Sequence, residues 1–223
     1  ARGRAGRPAG DRRRKELTIR AIEGQPGAQV VIISGPSGVG KDAVIEAMQR
    51  RRPPHPRSYV ITVTTRDRRP AEIDGVHYHF LSLDDYQRLV SIEGLLEASE
   101  VHRNWYGTPR DQVQSALSAG KDAILKIDVQ GADKIRARVP DALLIFVVPP
   151  NMEELERRLV NRGTEPPKDL DIRLRNARIE MARRGEFDHV VVNETDRVDE
   201  TAAEIDAIIA AEHERFAERA ITV

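Results

Sequence analysis

Between a strand-like run, Val30-Val31-Ile32-Ile33, and a helix-like run, Ala43-Val44-Ile45-Glu46-Ala47-Met48, the chain carries Gly35-Pro36-Ser37-Gly38-Val39-Gly40-Lys41-Asp42. The spacing G-x-x-x-x-G-K describes a loop whose backbone N–H groups converge on the phosphates of a nucleotide, with Lys41 reaching the outer ones. The helix that follows adds the positive end of its dipole. A glycine-rich turn without a ligand has no need of strand, loop, lysine and helix in this order. The segment therefore predicts a nucleoside triphosphate site made by Gly35 to Asp42. The letter after the lysine is usually Ser or Thr, whose hydroxyl serves Mg²⁺; here it is Asp42.

Strand-like and helix-like segments alternate beyond the loop, which predicts an α/β fold with a central parallel sheet flanked by helices. Expected strands are Gln29–Ser34, Tyr59–Thr62, Ala123–Asp128, Ala142–Val147 and His189–Val192. Expected helices are Lys41–Arg51, Arg110–Ala119, Asn151–Asn161 and Ile172–Arg184. A last one runs from Asp199 to about Arg219, with Ala202, Ile205, Ile208 and Ile209 at helical spacing. The prolines Pro53, Pro54 and Pro56 end the first helix in a loop.

Two stretches interrupt the alternation. From about Val63 to Pro109, short β-like pieces (His77–Leu81 and Leu95–Val101) surround a helical pattern at Leu83–Val90, which predicts an inserted mixed α/β lobe. The polar run Arg162-Gly163-Thr164-Glu165-Pro166-Pro167-Lys168 predicts a hinge-like loop flanked by arginines. An inserted lobe and a mobile loop suit an enzyme that closes over two substrates and excludes water from a phosphoryl group in transit.

With 36 basic and 36 acidic side chains in 223 residues, the formal charge is zero, so nucleic acid is not an expected partner of the whole chain. The absence of Cys excludes disulfides, thiolate metal sites and a cysteine nucleophile, and fits a reducing, cytoplasmic setting. The longest apolar run, Ala142 to Val148, is too short to cross a bilayer, so no membrane association is expected. Arg2, Arg4, Arg7, Arg12, Arg13, Arg14 and Lys15, mixed with Gly and Pro, predict a solvated basic arm over residues 1–24.

Several separate motifs from about Val30 to Glu212 resemble guanylate kinase, the P-loop nucleoside monophosphate kinase family that moves phosphate from ATP to GMP. They are Gly35–Lys41; Thr64-Thr65-Arg66 with Arg69; Glu72 through Gly75 to Tyr78; Glu97; Tyr106-Gly107-Thr108; Ile127-Asp128-Val129-Gln130-Gly131; Pro149-Pro150; Arg162-Gly163-Thr164-Glu165; and Val192-Asn193. The resemblance implies a core of residues 25–61, 110–161 and 174–223, a GMP-binding lobe of 62–109 and a lid of 162–173. It implies ATP and GMP as substrates and Mg²⁺ as cofactor. Arg66 and Arg69 would grip the acceptor phosphate with forked bonds, joined by the hydroxyls of Tyr78 and Tyr106. Glu97 would accept from the N1–H and exocyclic amine of guanine, with Thr62 and Thr108 beside it and Asp128 nearby. Arg158 and Arg162 would serve the donor side, Arg173 the transferring phosphate, and Asn193 the adenine.

The chain departs from the family pattern twice. Members often carry Ser after the loop lysine and Asp two residues before the Asp-x-Gln-Gly acid, where this chain has Asp42 and Lys126. The expectation is that the carboxylate serving Mg²⁺ has moved to the loop as Asp42, with Lys126 offsetting it or neutralising phosphate; a simple surface ion pair is the alternative. A loop ending in Gly-Lys-Asp also occurs in a kinase of the same fold that phosphorylates ribose 1,5-bisphosphate. That rival needs no guanine-reading acid, so Glu97, Tyr78, Tyr106, Arg66 and Arg69 favour GMP. A non-catalytic, peptide-binding domain of this fold would not need Lys41, Arg158, Arg162 and Arg173 together.

Overall fold

Val30, Val31, Ile32, Ile33 and Ser34 are all buried and form strand β1 (Val30–Ser34), as a strand covered by helices on both faces requires. The computed structural model describes residues 24–25, 27–101, 103–161 and 167–215, the side chains of 167–169 excepted. Residues 1–23 of the expected basic arm, and Arg162 with the first half of the expected lid loop, lie outside the described residues.

Helix α1 (Lys41–Arg50) follows the glycine-rich loop, and β2 (Arg57–Val60) follows the proline-rich turn. The inserted lobe comprises β3 (Val63–Thr64), β4 (His79–Phe80), α2 (Leu83–Ser91), β5 (Leu95–Val101) and β6 (Asn104–Pro109). The chain returns to the core through α3 (Arg110–Ser118), β7 (Asp122–Lys126), α4 (Val129–Arg138), β8 (Leu143–Val148) and α5 (Met152–Asn161). It ends with α6 (Pro167–Ala182), β9 (His189–Val192) and α7 (Val198–Arg215).

Five strands pair in the order β2-β7-β1-β8-β9, and every pairing is parallel. Successive residues of a strand face opposite sides. Val30 and Ile32 thus join one buried cluster with Leu125 and Phe146, while Val31 and Ile33 join another with Ile145 and Val191. The lobe has its own sheet, β4-β3-β6-β5, antiparallel except between β3 and β4. A small third cluster of Val63, Tyr86 and Leu95 holds it.

Three expectations change. The strand expected to reach Asp128 ends at Lys126, and Asp128 instead caps a helix not foreseen, α4. Its Oδ1 accepts from the N–H groups of Gln130 and Gly131, satisfying donors that the first helical turn leaves open. Gly131 weakens the helical pattern on paper, yet Val129, Ala132 and Ile135 fall on one buried face. Second, Asn104–Pro109, not among the expected β-like pieces, is a strand despite its Gly and Pro. Third, α6 begins at Pro167, inside the stretch expected as hinge, because proline is tolerated where its missing N–H has no helical partner.

At the far end of the sheet, Asp122 is almost fully buried. Its Oδ1 accepts from Gln29 N–H at 3.1 Å, and its Oδ2 lies 2.9 Å from Nε2 of buried His213 on α7. His55 stacks on the His213 ring at 3.7 Å. Asp122→Ala leaves a buried N–H and a buried imidazole without their acceptor. We expect a loss of about 2–4 kcal/mol and a Tm lower by roughly 5–15 °C. Thermal unfolding followed by circular dichroism checks it; a shift below about 2 °C contradicts the account.

Candidate active site

The glycine-rich loop needs backbone that side chains block. A Cβ at Gly35, whose φ is +143°, would stand 2.2 Å from the Val147 carbonyl oxygen. At Gly40, φ is +99° and a Cβ would stand 2.6 Å from Asn193 Nδ2. The loop thus lies directly on β8 and on the residue after β9, and delivers Lys41 at the first position of α1. Lys41 Nζ donates to the carbonyls of Gly35 (2.5 Å) and Pro36 (3.1 Å). Burial lowers its pKa, against the opposing pull of Glu180, Asp42 and Asp128. Glu180 of α6 accepts from Ser37 N–H at 3.2 Å, so an acid already sits on a loop donor of the kind phosphate uses.

The loop opens into a cleft of about 950 Å³ that also takes in the inserted lobe. Arg66, Arg69, Tyr78 and Tyr106 line its lobe side. Arg66 makes two bonds to the Glu72 carboxylate, at 2.7 and 3.0 Å, and its guanidinium lies 5.6 Å from the Tyr78 ring centre. The backbone N–H of Arg69 donates to the same carboxylate at 2.8 Å. Tyr78 and Tyr106 meet edge to face, their rings 6.1 Å apart. Glu72 thereby holds the Arg66 fork and the backbone at Arg69, whose guanidinium stands 3.8 Å from it, beside an aromatic wall, and a dianionic group fits this set.

Glu97 on β5 also lines the cleft, yet only 3% of its surface is exposed. Ser99 Oγ donates to Oε2 at 2.8 Å and Thr108 Oγ1 to Oε1 at 3.1 Å. Burial pushes its carboxyl up to about 7 and the Asp128 charge adds to the rise; the two hydroxyls and Lys134 work the other way. Lys134 donates to Ser99 Oγ at 3.1 Å and to the Ala98 carbonyl, so it fixes the hydroxyl that fixes Glu97. A buried acid held by two donors, with room before it, is built to accept from paired N–H groups of a ligand.

At the junction of the two sides, Lys126 at the end of β7 bonds Asp42 Oδ1, and its ammonium stands 4.7 Å from the Tyr78 ring centre. Among the described residues no three acids or histidines gather as a metal cluster. That does not conflict with Mg²⁺, which takes one or two carboxylates and otherwise phosphate oxygens and water. Asp42 and Asp128, both lining the cleft, supply hard oxygens of the right kind.

Of the expected site residues, Thr62, Arg158 and Arg173 also line the cleft, and Thr108 reaches it through Glu97. Arg158 donates to the carbonyls of Val39 (2.9 Å) and Asn193 (3.0 Å) and to Glu154 (2.7 Å), bracing the loop from α5. Asn193 is buried, its amide donating to Val39 O at 2.8 Å and accepting from Thr201. In this arrangement its polar atoms are spent on the loop and on α7. Pro36 and Val39 shape the loop without lining the cleft, and Arg162 lies outside the described residues. Glu180, Ser99 and Lys134 were not singled out from the sequence: Glu180 reaches Ser37 across 143 positions and Lys134 reaches Ser99 across 35, which no local pattern records, whereas Ser99 lies only two residues from Glu97.

A family model described as guanylate kinase matches residues 27–212. The chain belongs to the guanylate kinase family. A guanylate kinase of Thermobifida fusca is 48% identical over 183 residues, covering 82% of this chain and 91% of that protein. One from Clostridium perfringens is 39% identical over 184 residues, covering 82% and 83%. The crystal structure of guanylate kinase from Anaplasma phagocytophilum has a TM-score of 0.68 at 31% identity, covering 84% of this chain and 87% of that one. As a guanylate kinase family member, the chain is an ATP-dependent phosphotransferase of the nucleoside monophosphate kinase type with a P-loop kinase fold. No helix among the described residues is long and apolar enough to cross a membrane.

Proposed function

We propose that this guanylate kinase transfers the γ-phosphoryl group of Mg²⁺-bound ATP to the phosphate of GMP or dGMP, giving ADP and GDP or dGDP. The observation that carries the acceptor is Glu97. A buried carboxylate held by two hydroxyls faces the cleft it shares with the phosphate loop. Guanine offers it N1–H and an exocyclic amine, both donors. Adenine offers a bare ring nitrogen at N1, which would leave one acceptor facing another.

The donor triphosphate lies along Gly35 to Asp42, where loop N–H groups, Lys41 and the start of α1 meet negative charge. Arg158 holds the loop to α5 and so keeps those N–H groups aimed. Arg66 and Arg69, set by Glu72, hold the acceptor phosphate with Tyr78 and Tyr106, while Arg173 attends the transferring group. Asp42 and Asp128 would hold Mg²⁺ together with phosphate oxygens; bound there, the metal neutralises charge on the donor. The protein supplies positioning and cations rather than a nucleophile, which is what phosphoryl transfer asks.

An acceptor panel tests the reading. ADP release is followed with GMP, dGMP, AMP, UMP and ribose 1,5-bisphosphate as acceptors, with Mg²⁺ present. GMP should exceed AMP in kcat/KM by roughly 10⁴, the size of discrimination that an unpaired buried polar group produces. Turnover of ribose 1,5-bisphosphate, with GMP left unphosphorylated, would defeat it.

A further inference from the structure

Two nucleotides facing one another along this cleft bring four or more negative charges to the point where their phosphates meet, and the transfer needs a cation there. Lys41 is drawn back onto its own loop, and Arg66 is bonded to Glu72 on the lobe side. Lys126 touches both sides. It ends the core strand β7, its ammonium bonds Asp42 in the first turn of α1 beside the donor loop, and it stands over the ring of Tyr78 in the acceptor lobe. Its side chain is only 15% exposed, yet it lines the cleft that the loop and the lobe share.

We propose that Lys126 is a catalytic cation of the transfer, held by Asp42 at the seam between donor and acceptor, where it donates to the non-bridging oxygens of the phosphoryl group in transit. This rests on the GMP-kinase reading above. In the step it serves, an oxygen lone pair of the GMP phosphate forms the new O–P bond. The electron pair of the breaking P–O bond stays on the β-phosphate of ADP, and the ammonium gives up no proton. Its value is greatest when charge is shared between the two oxygens, so it acts on kcat more than on the affinity for either nucleotide alone. Asp42 is the positioning residue: without it the flexible four-carbon stem of Lys126 has no fixed station.

The test uses the full chain and the variants Lys126→Met, Lys126→Gln, Lys126→Arg and Asp42→Asn, each checked for folding by melting temperature. Steady-state kinetics with ATP and GMP are paired with calorimetry in EDTA, using GMP alone and a pentaphosphate-bridged adenosine–guanosine analogue as probes. Lys126→Met should lower kcat by about 10²–10³ with KM for GMP within threefold. It should also weaken the analogue at least tenfold without metal, leaving GMP alone within threefold. Lys126→Arg should recover the analogue affinity, and Asp42→Asn should lose part of it. Lys126→Gln is read in the same way should the Met variant not fold. Retention of kcat and analogue affinity within threefold in the neutral variants overturns the proposal, as does an equal loss for GMP alone, which would mark an acceptor-side or structural role. Wild-type protein that leaves GMP unphosphorylated overturns the acceptor assignment itself, and the inference with it.

Discussion

Glu97→Gln is expected to lower kcat/KM for GMP by about 10³ or more while leaving ATP affinity nearly unchanged. The substitution keeps the shape and one acceptor oxygen but replaces the other by an NH₂, which would face a donor of guanine. Steady-state kinetics with GMP and AMP check it, and an unchanged preference for GMP would remove Glu97 as the reader. The same carboxyl sets a pH dependence. Burial raises its pKa from 4.5 to about 7, and only the ionised form accepts from both N–H groups of guanine. Affinity for GMP should thus be flat above pH 7 and fall toward tenfold per unit below it.

The stability effect of Glu97 has the opposite sense. Between pH 4.5 and 7 the folded chain keeps a proton that the unfolded chain has released, so this group's contribution is fully present below 4.5. It is lost as pH rises toward 7, by up to about 3 kcal/mol. The Gln variant, neutral at every pH, should therefore melt at or above the wild-type temperature at pH 8. A loss of GMP preference together with a higher Tm marks a group placed for binding at the expense of stability; a fall in Tm at pH 8 would contradict the desolvation argument.

Lys41→Met should be as damaging on the donor side. Methionine keeps much of the stem but removes the charge, leaving the carbonyls of Gly35 and Pro36 without their ammonium and the outer phosphates without their cation. A fall in kcat of about 10³ is expected, with GMP affinity in the absence of ATP within threefold of wild type. Calorimetry with GMP alone separates the two sides of the cleft: an equal loss there would mean that the substitution had damaged the cleft as a whole.

Local features were legible where the chain settles the matter with its neighbours in sequence. The branched run before Gly35, the loop spacing and the apolar face after Lys41 specify strand, turn and helix within twenty residues. Leu95–Val101 was likewise readable as a strand from its own residues. The unforeseen elements are those whose local signal opposes their tertiary setting. Asn104–Pro109 carries Gly and Pro and is held as a strand by pairing with β3 and β5. Helix α4 contains a glycine and is held by its Asp128 cap and by burial of Val129, Ala132 and Ile135.

The same division runs through the site. Arg66, Arg69, Tyr78, Tyr106 and Glu97 could be given roles by type and motif; Glu72 stood in a motif without a role, and neither its bonds to Arg66 and to the Arg69 backbone nor the Ser99–Lys134 contact behind Glu97 was foreseen. The bond from Asn193 to the Val39 carbonyl, across 154 positions of chain, was equally out of reach of any local pattern.

The sequence by itself determined the chemistry on offer: a phosphate loop, paired arginines and an acid suited to guanine, because backbone freedom, charge and hydrogen-bonding capacity belong to individual residues and short spacings. Only the tertiary structure decided which of these groups meet. Lys126 and Asp42 are 84 positions apart and become one ion pair because β7 lies beside β1, which feeds the loop and α1. Glu97 acquires its raised pKa because the fold removes water from around it. Desolvation and distance are properties of the packed chain, and both depend on contacts that no local window contains.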